Sequence, residues 1–203
     1  MGARQKMVAN ILSPQVTKVY LPTVVKRSLF TESIYHKKIE RVYKLLGGIQ
    51  EHYPIGFGLF DIISDGFFIE LDEENHFNRY RKITLQSPFY KNHYFFSVTD
   101  YIYYCDKFEN RARSYKKFWT SSSSEEQFGV SSPSRIFDGN GSARWKQRAF
   151  YDFLKDVYSL ITGKPVLRFS IYDSIGELTI DKILKKGIGT ERLMDLVQGR
   201  LMN

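Results

Sequence analysis

Residues 58–77 read GLFDIISDGFFIELDEENHF, and no other stretch limits the possible folds of this chain so tightly. Asp65-Gly66 lies between two runs rich in Ile, Leu and Phe, and an Asp-Gly pair in that setting marks a tight reversal between antiparallel strands. The reading places strands at residues 55–63 and 67–72. Side chains alternate across a strand, so Phe67, Ile69 and Leu71 share one face while Phe68, Glu70 and Asp72 share the other. The first strand returns Asp61 to the neighbourhood of Glu70. Desolvating carboxylates is costly unless a donor, a proton or a cation compensates. Three acids converging on a sheet face therefore call for something positive among them, and hard oxygen ligands suit Mg2+ or Mn2+. The run from Asp72 to Glu74 can also be read as a solvated strand end. Asp61, set among large apolar neighbours in LFDII, fits that reading poorly.

The flanking sequence supplies helices. TESIYHKKIERVYKLLGG predicts a helix over 32–46, with Thr31 as cap and Gly47-Gly48 as stop. ARWKQRAFYDFLKDVYSLITGK predicts another, in which Trp145, Ala149, Phe153, Val157 and Leu160 keep a helical rhythm up to Gly163. PVLRFSIY follows as an apolar strand, and TIDKILKKG as a short final helix. Residues 1–30, interrupted by Pro14 and Pro22, read as an arm whose only strand-like pieces are VTKVYL and TVVK. The Tyr/Phe-rich piece YFFSVTDYIYYCDKFENRARSYKKFW fits a strand or a helix, and TSSSSEEQFGVSSPS reads as a loop or mobile flap. The order is helix, β-hairpin, insertion, helix, strand, helix: an α/β domain at 31–203 with a mixed sheet covered by helices and an insertion at about 78–143.

With 203 residues, 42% of them hydrophobic, the chain can bury a core without staples. Its single cysteine, Cys105, excludes an intramolecular disulfide framework and a Cys-rich zinc site and reads as a packed residue. No apolar run reaches the roughly 20 residues of a membrane span, and the N-terminus lacks a signal-type apolar stretch, so a soluble cytoplasmic protein is expected. Thirty Lys and Arg against 22 Asp and Glu leave a net charge of +8. That surplus favours an anionic partner, nucleic acid ahead of anionic lipid.

The order FDI…DG…FIELDEENHF, then a helix, then GKPVLRFSIY, resembles the PD-(D/E)XK (restriction-endonuclease-like) nuclease superfamily, nearest its very-short-patch repair endonuclease-like branch. The resemblance covers residues 31–77 and 144–172. It implies a restriction-endonuclease-like mixed sheet flanked by helices and a Mg2+- or Mn2+-dependent endonuclease hydrolysing phosphodiester bonds in nucleic acid, DNA favoured over RNA, in defence or repair. On this resemblance Asp61, Glu70 and Glu40 would hold the metal, with Glu32 a weaker alternative to Glu40. Asp72, His76 and Lys146 would complete the catalytic set, and Arg148 would face the substrate. Two departures stand out: Asp72 occupies the place of the superfamily's lysine, as it does in the nearest branch, and Glu73 that of a turn glycine.

Cations interleaved with rings suit phosphate contact and base stacking. On that ground Arg79, Arg81, Lys82, Arg111, Arg113, Lys116 and Lys117 are candidate nucleic-acid contacts, within an insertion carrying ten basic residues against six acids. The insertion is expected to wall a basic cleft beside Asp61 and Glu70. The alternatives are a catalytically inactive nuclease-like fold that binds nucleic acid or a protein partner, and an interaction protein whose hairpin acids make only salt bridges.

Overall fold

The structure, a computed structural model, describes residues 2–12, 25–64, 66–92, 95–114 and 118–201. Its axis is α7 (Ala143–Thr162). Ser142 caps this helix by accepting from the Trp145 N–H, and Gly163 ends it in the left-handed conformation at φ 69°. One face of α7 meets the helices of the insertion, and the other lies on a three-stranded sheet.

In that sheet β1 (Ile62–Ile63) runs antiparallel to β2 (Phe68–Asp72), which runs parallel to β3 (Val166–Ser170), in the order β1-β2-β3. Parallel neighbours need a crossover, and α7 supplies the last leg of it. The chain is thus α/β with a small mixed sheet, as the helix–hairpin–helix–strand order predicts. β1 is shorter than the expected 55–63. Pro54, Gly56 and Gly58, the last at φ +78°, interrupt the ladder before Asp61. Ser64 N donates to Phe67 O at 2.9 Å across the reversal, while Asp65 lies outside the described residues.

The two sheet faces differ in kind. Ile69, Leu71, Leu167 and Phe169 point into an apolar layer completed by α1 (Ala3–Leu12), α8 (Ile180–Lys186) and α9 (Glu191–Leu201). Phe68, Glu70, Asp72, Arg168 and Ser170 point toward α7. At one end of that second face Phe68 stacks on Phe60, their ring centroids 4.1 Å apart, and joins the larger aromatic core.

Several elements differ from expectation. The helix expected over 32–46 is α3 (His36–Leu45), which starts a turn late, and Thr31, expected as its cap, instead ends a separate turn of helix, α2 (Ser28–Thr31). The insertion holds α4 (Arg79–Leu85), α5 (Val98–Arg113) and α6 (Ser122–Phe128), and its aromatics are largely core. The Tyr/Phe-rich piece is the helix α5, which buries Tyr101, Cys105 and Ala112 along one side. The serine run is not a flap: Ser121 and Ser124 form a reciprocal capping box, and Phe128 anchors α6 in the core. Residues 3–12 of the expected arm form α1 and bury Val8, Ala9 and Leu12. VTKVYL, and Thr23 and Val24 of TVVK, lie outside the described residues. A two-residue hairpin, β4 (Ser174–Ile175) with β5 (Leu178–Thr179), precedes α8. The chain does not stop at α8, because α9 follows it and buries Leu193 and Val197 one turn apart. Among the described residues no helix is long and apolar enough to cross a membrane.

Candidate functional site

Asp61 lies one step beyond the Ile62–Ile69 pair, directly across the hairpin from Glu70. Its backbone N–H donates to Glu70 Oε1 at 3.2 Å, and its Oδ2 accepts from Leu71 N at 2.8 Å. The cation is Lys155 of α7, whose Nζ donates to Glu70 Oε1 at 2.7 Å and to the Leu59 carbonyl at 2.8 Å. Burial pushes the Glu70 carboxyl up to about 7, with Lys155 opposing and Asp61 reinforcing the rise. Burial likewise raises Asp61, against the pull of the Leu71 N–H and Lys155. No described residue donates to Asp61 Oδ1 or Glu70 Oε2. On β2 the even-numbered residues bond toward β3, as Phe68 N to Pro165 O and Ile171 N to Asp72 O demonstrate. The Leu71 carbonyl therefore points the other way, toward the side where Asp61 lies.

Deeper along the same face is a buried ionic cluster. Arg168 Nη1 reaches both Asp72 oxygens at 2.9 and 3.0 Å, its Nε reaches Asp156 Oδ1 at 2.7 Å, and its Nη2 donates to the Asp152 carbonyl at 3.0 Å. Arg81 Nη2 meets the other Asp156 oxygen at 3.0 Å, and Tyr90 donates to that same atom. His76 closes the cluster: its Nδ1 lies 2.8 Å from Asp152 Oδ2 and 3.1 Å from Asp72 Oδ1. Burial works against a charge on His76, but Asp152 and Asp72 outweigh it and raise its pKa. For Asp152 burial is outweighed in turn by His76 and Arg168, which hold the carboxyl far below the usual range. Three carboxylates thus face two arginines and a histidine that favours its charged form. Asp72, His76 and Asp152 bring ligand atoms within 4.8 Å of one another, a set that could hold a metal ion. Arg168 already engages both oxygens of Asp72, so this cluster is balanced without one.

The sequence-derived candidates separate accordingly. Asp61, Glu70, Asp72 and His76 come together on one sheet face, where both oxygens of Asp72 are engaged by Arg168. Glu40 is exposed on α3, pairs with His36 at 3.5 Å and lines a groove with Tyr53, Lys37 and Arg41; it is not part of the site, and Glu32 is exposed as well. Lys146 is also elsewhere. It precedes Lys155 by nine residues, half a turn out of phase on a helix of 3.6 residues per turn, and bonds to Asn140.

Of the proposed nucleic-acid contacts, Arg81 is 1% exposed and belongs to the buried cluster, which removes it from any phosphate interface. Arg79 pairs with Glu109 and Lys82 with Asp106, and Arg111 lies 3.6 Å from Glu74. Arg113 stands over the Phe137 ring at 5.9 Å. Lys116 and Lys117 lie outside the described residues. Arg148 is half-buried beside the His76 cluster. Sequence reasoning missed Lys155, Asp152, Asp156 and Arg168. Their signal was present: charges at positions 152, 155 and 156 sit on the inner face of α7, and Arg168 interrupts the apolar run VLRFS.

A family model described as a family of unknown function, DUF7255, matches residues 41–186, and the chain belongs to that family. No curated protein and no solved structure matches.

Proposed function

We propose that this member of the DUF7255 family is a metal-dependent nuclease of restriction-endonuclease-like architecture that hydrolyses phosphodiester bonds, in DNA by preference. One observation carries the reading: Asp61 and Glu70 face each other across the hairpin while Lys155 Nζ lies 2.7 Å from Glu70. The lysine that the resemblance expects two residues after the acid is absent from β2, and α7 presents one to the same carboxylate. The crossover from β2 through α7 to a parallel β3 supports the same architecture.

The donor set fits a divalent cation. Asp61 Oδ1 and Glu70 Oε2 have no partner among the described residues, and the Leu71 carbonyl points to their side. All three are hard oxygen donors of the kind Mg2+ and Mn2+ prefer. Bound there, such an ion would polarise a phosphate and acidify a water molecule. Lys155, fixed by the Leu59 carbonyl and Glu70, sets a positive charge where the pentavalent phosphate becomes more negative. His76, held by Asp152 and Asp72, lies on the same side of the sheet. The Glu70 carboxyl, pushed up to about 7, must lose its proton before it can hold a cation. Activity is therefore expected to rise as pH increases through that value.

Plasmid nicking in Mg2+ or Mn2+, with EDTA as control, tests the reading. Asp61→Asn and Glu70→Gln should each lower the rate at least a hundredfold in folded protein, and Lys155→Met by a similar factor. Absence of cleavage in either metal at pH 8, over a panel of double- and single-stranded DNA and RNA, would overturn it. A specific feature favours the second reading, an inactive nuclease-like fold that binds nucleic acid or a protein: Asp72 replaces the motif lysine and is locked to Arg168. Filter binding that falls steeply with salt, without cleavage, would support that alternative.

A further inference from the structure

One cation beside the buried cluster has no carboxylate partner. Asp72, Asp152 and Asp156 are matched by Arg168, Arg81 and His76, and Glu73 and Glu74 by Arg4 and Arg111. Arg148 stands one turn before Asp152 on α7 and one turn after Arg144, yet it makes no ion pair or hydrogen bond among the described residues. Burial, opposed by Asp152 and assisted by Arg144, lowers its pKa, so this guanidinium is short of solvent as well as of acceptors. His76 is in the same condition. Its Nδ1 is taken by carboxylates, while no described residue accepts from Nε2, which donates once the ring is charged. A guanidinium fork next to a second N–H donor matches the oxygens of a phosphate group. Beside it, the Phe118 ring is 41% exposed, with the Arg148 guanidinium carbon 5.7 Å from its centroid.

We infer that Arg148, His76 Nε2 and Phe118 form a phosphate-and-base subsite next to the Asp61–Glu70 pair, taking a phosphate that is not the one cleaved and stacking an adjacent base on Phe118. The assignment of the ligand as nucleic acid rests on the proposed function; the phosphate subsite does not. His76 bonds Asp152, one turn beyond Arg148 on α7, and Asp72, which shares its face of β2 with Glu70, so the subsite lies on the side of the hairpin acids. A stacked ring distinguishes a nucleotide chain from a free anion.

The test uses the full chain in EDTA at fixed ionic strength, so that neither metal nor cleavage enters. The His76 ring and Arg148 Nε–H resonances are followed while inorganic phosphate or a short single-stranded oligonucleotide is added. Both ligands should shift both resonances, the oligonucleotide binding at least tenfold tighter. Arg148→Met should weaken both ligands about tenfold, and Arg148→Lys should recover part of that loss. Phe118→Ala should weaken the oligonucleotide alone. Because neither metal nor cleavage enters the measurement, failure of the nuclease reading would leave the phosphate result standing. Unshifted resonances, or equal binding by Arg148→Met in a protein with parental NMR dispersion, would overturn the subsite. Equal affinity for the two ligands would overturn its assignment to nucleic acid.

Discussion

At the scale of single residues, the acids of β2 owe their burial to partners contributed from far along the chain. Arg168 reaches Asp72, Asp156 and the Asp152 carbonyl at once. Removing one member of such a cluster strands the others in a low-dielectric setting, at a cost of about 3–5 kcal/mol. Arg168→Met should lower stability by that amount in urea unfolding, whereas Lys82→Met, which breaks the partly exposed pair with Asp106, should cost less than about 1 kcal/mol. Alternation along 67–72 and the Asp-Gly turn placed Asp61 against Glu70 from sequence alone, because both signals are local. Lys155 and Arg168 stayed illegible for the opposite reason. Each is a charge inside an apolar pattern, and which strand face it meets depends on how α7 lies across the sheet. No periodicity in either segment encodes that relation. Lys146 shows the cost: a lysine on the right helix, chosen without its phase, points away.

Among the elements, α7 ends where Gly163 was read as its stop, whereas Thr31, read as the cap of the first helix, belongs to α2 and α3 begins only at His36. Where composition stood in for a mechanism the reading failed. The serine run carried its own capping box and became α6, and α5 looked ambiguous because aromatic residues populate both strands and buried helices. The stop after α3 makes a stricter demand than chain reversal. A Cβ at Gly48 would run into the Tyr43 ring, whose hydroxyl is fixed by the Gln127 carbonyl and the Gln50 N–H. Gly48→Ala is therefore expected to destabilise the fold by about 1–3 kcal/mol through overpacking. Thermal unfolding should register it as a lower Tm, and Tyr43→Leu in the same background should recover part of the loss. Ser121→Ala, which removes the α6 cap, should cost about 1 kcal/mol in the same assay.

On the scale of the whole molecule, the sheet separates two layers of different chemistry, one apolar under α1, α8 and α9, the other charged under α7. Leu12→Ala should cost about 2–5 kcal/mol in urea unfolding, since Leu12 is 1% exposed in the apolar layer. The charged layer fixes the pH response. Glu70 holds its proton up to about 7 in the folded protein, whereas the unfolded chain releases it near 4.5, so its contribution is fully present in acid and disappears as pH rises between those values. His76, also raised, acts in the same direction above its usual range. Asp152 acts oppositely, but only in strong acid. Tm should therefore fall from pH 5 to pH 8, and Glu70→Gln, which keeps the neutral form throughout, should flatten that slope. The charged layer has a consequence for inheritance too. A chain in which Arg168 alone mutates is left with stranded acids, and one that loses Asp72 alone keeps a buried arginine short of counter-charge. The cluster can change only through several substitutions at once or through a second that rescues the first. Descendants of this sequence are thus held to a narrow path on one side of the sheet, while the apolar side is free to drift one methyl group at a time.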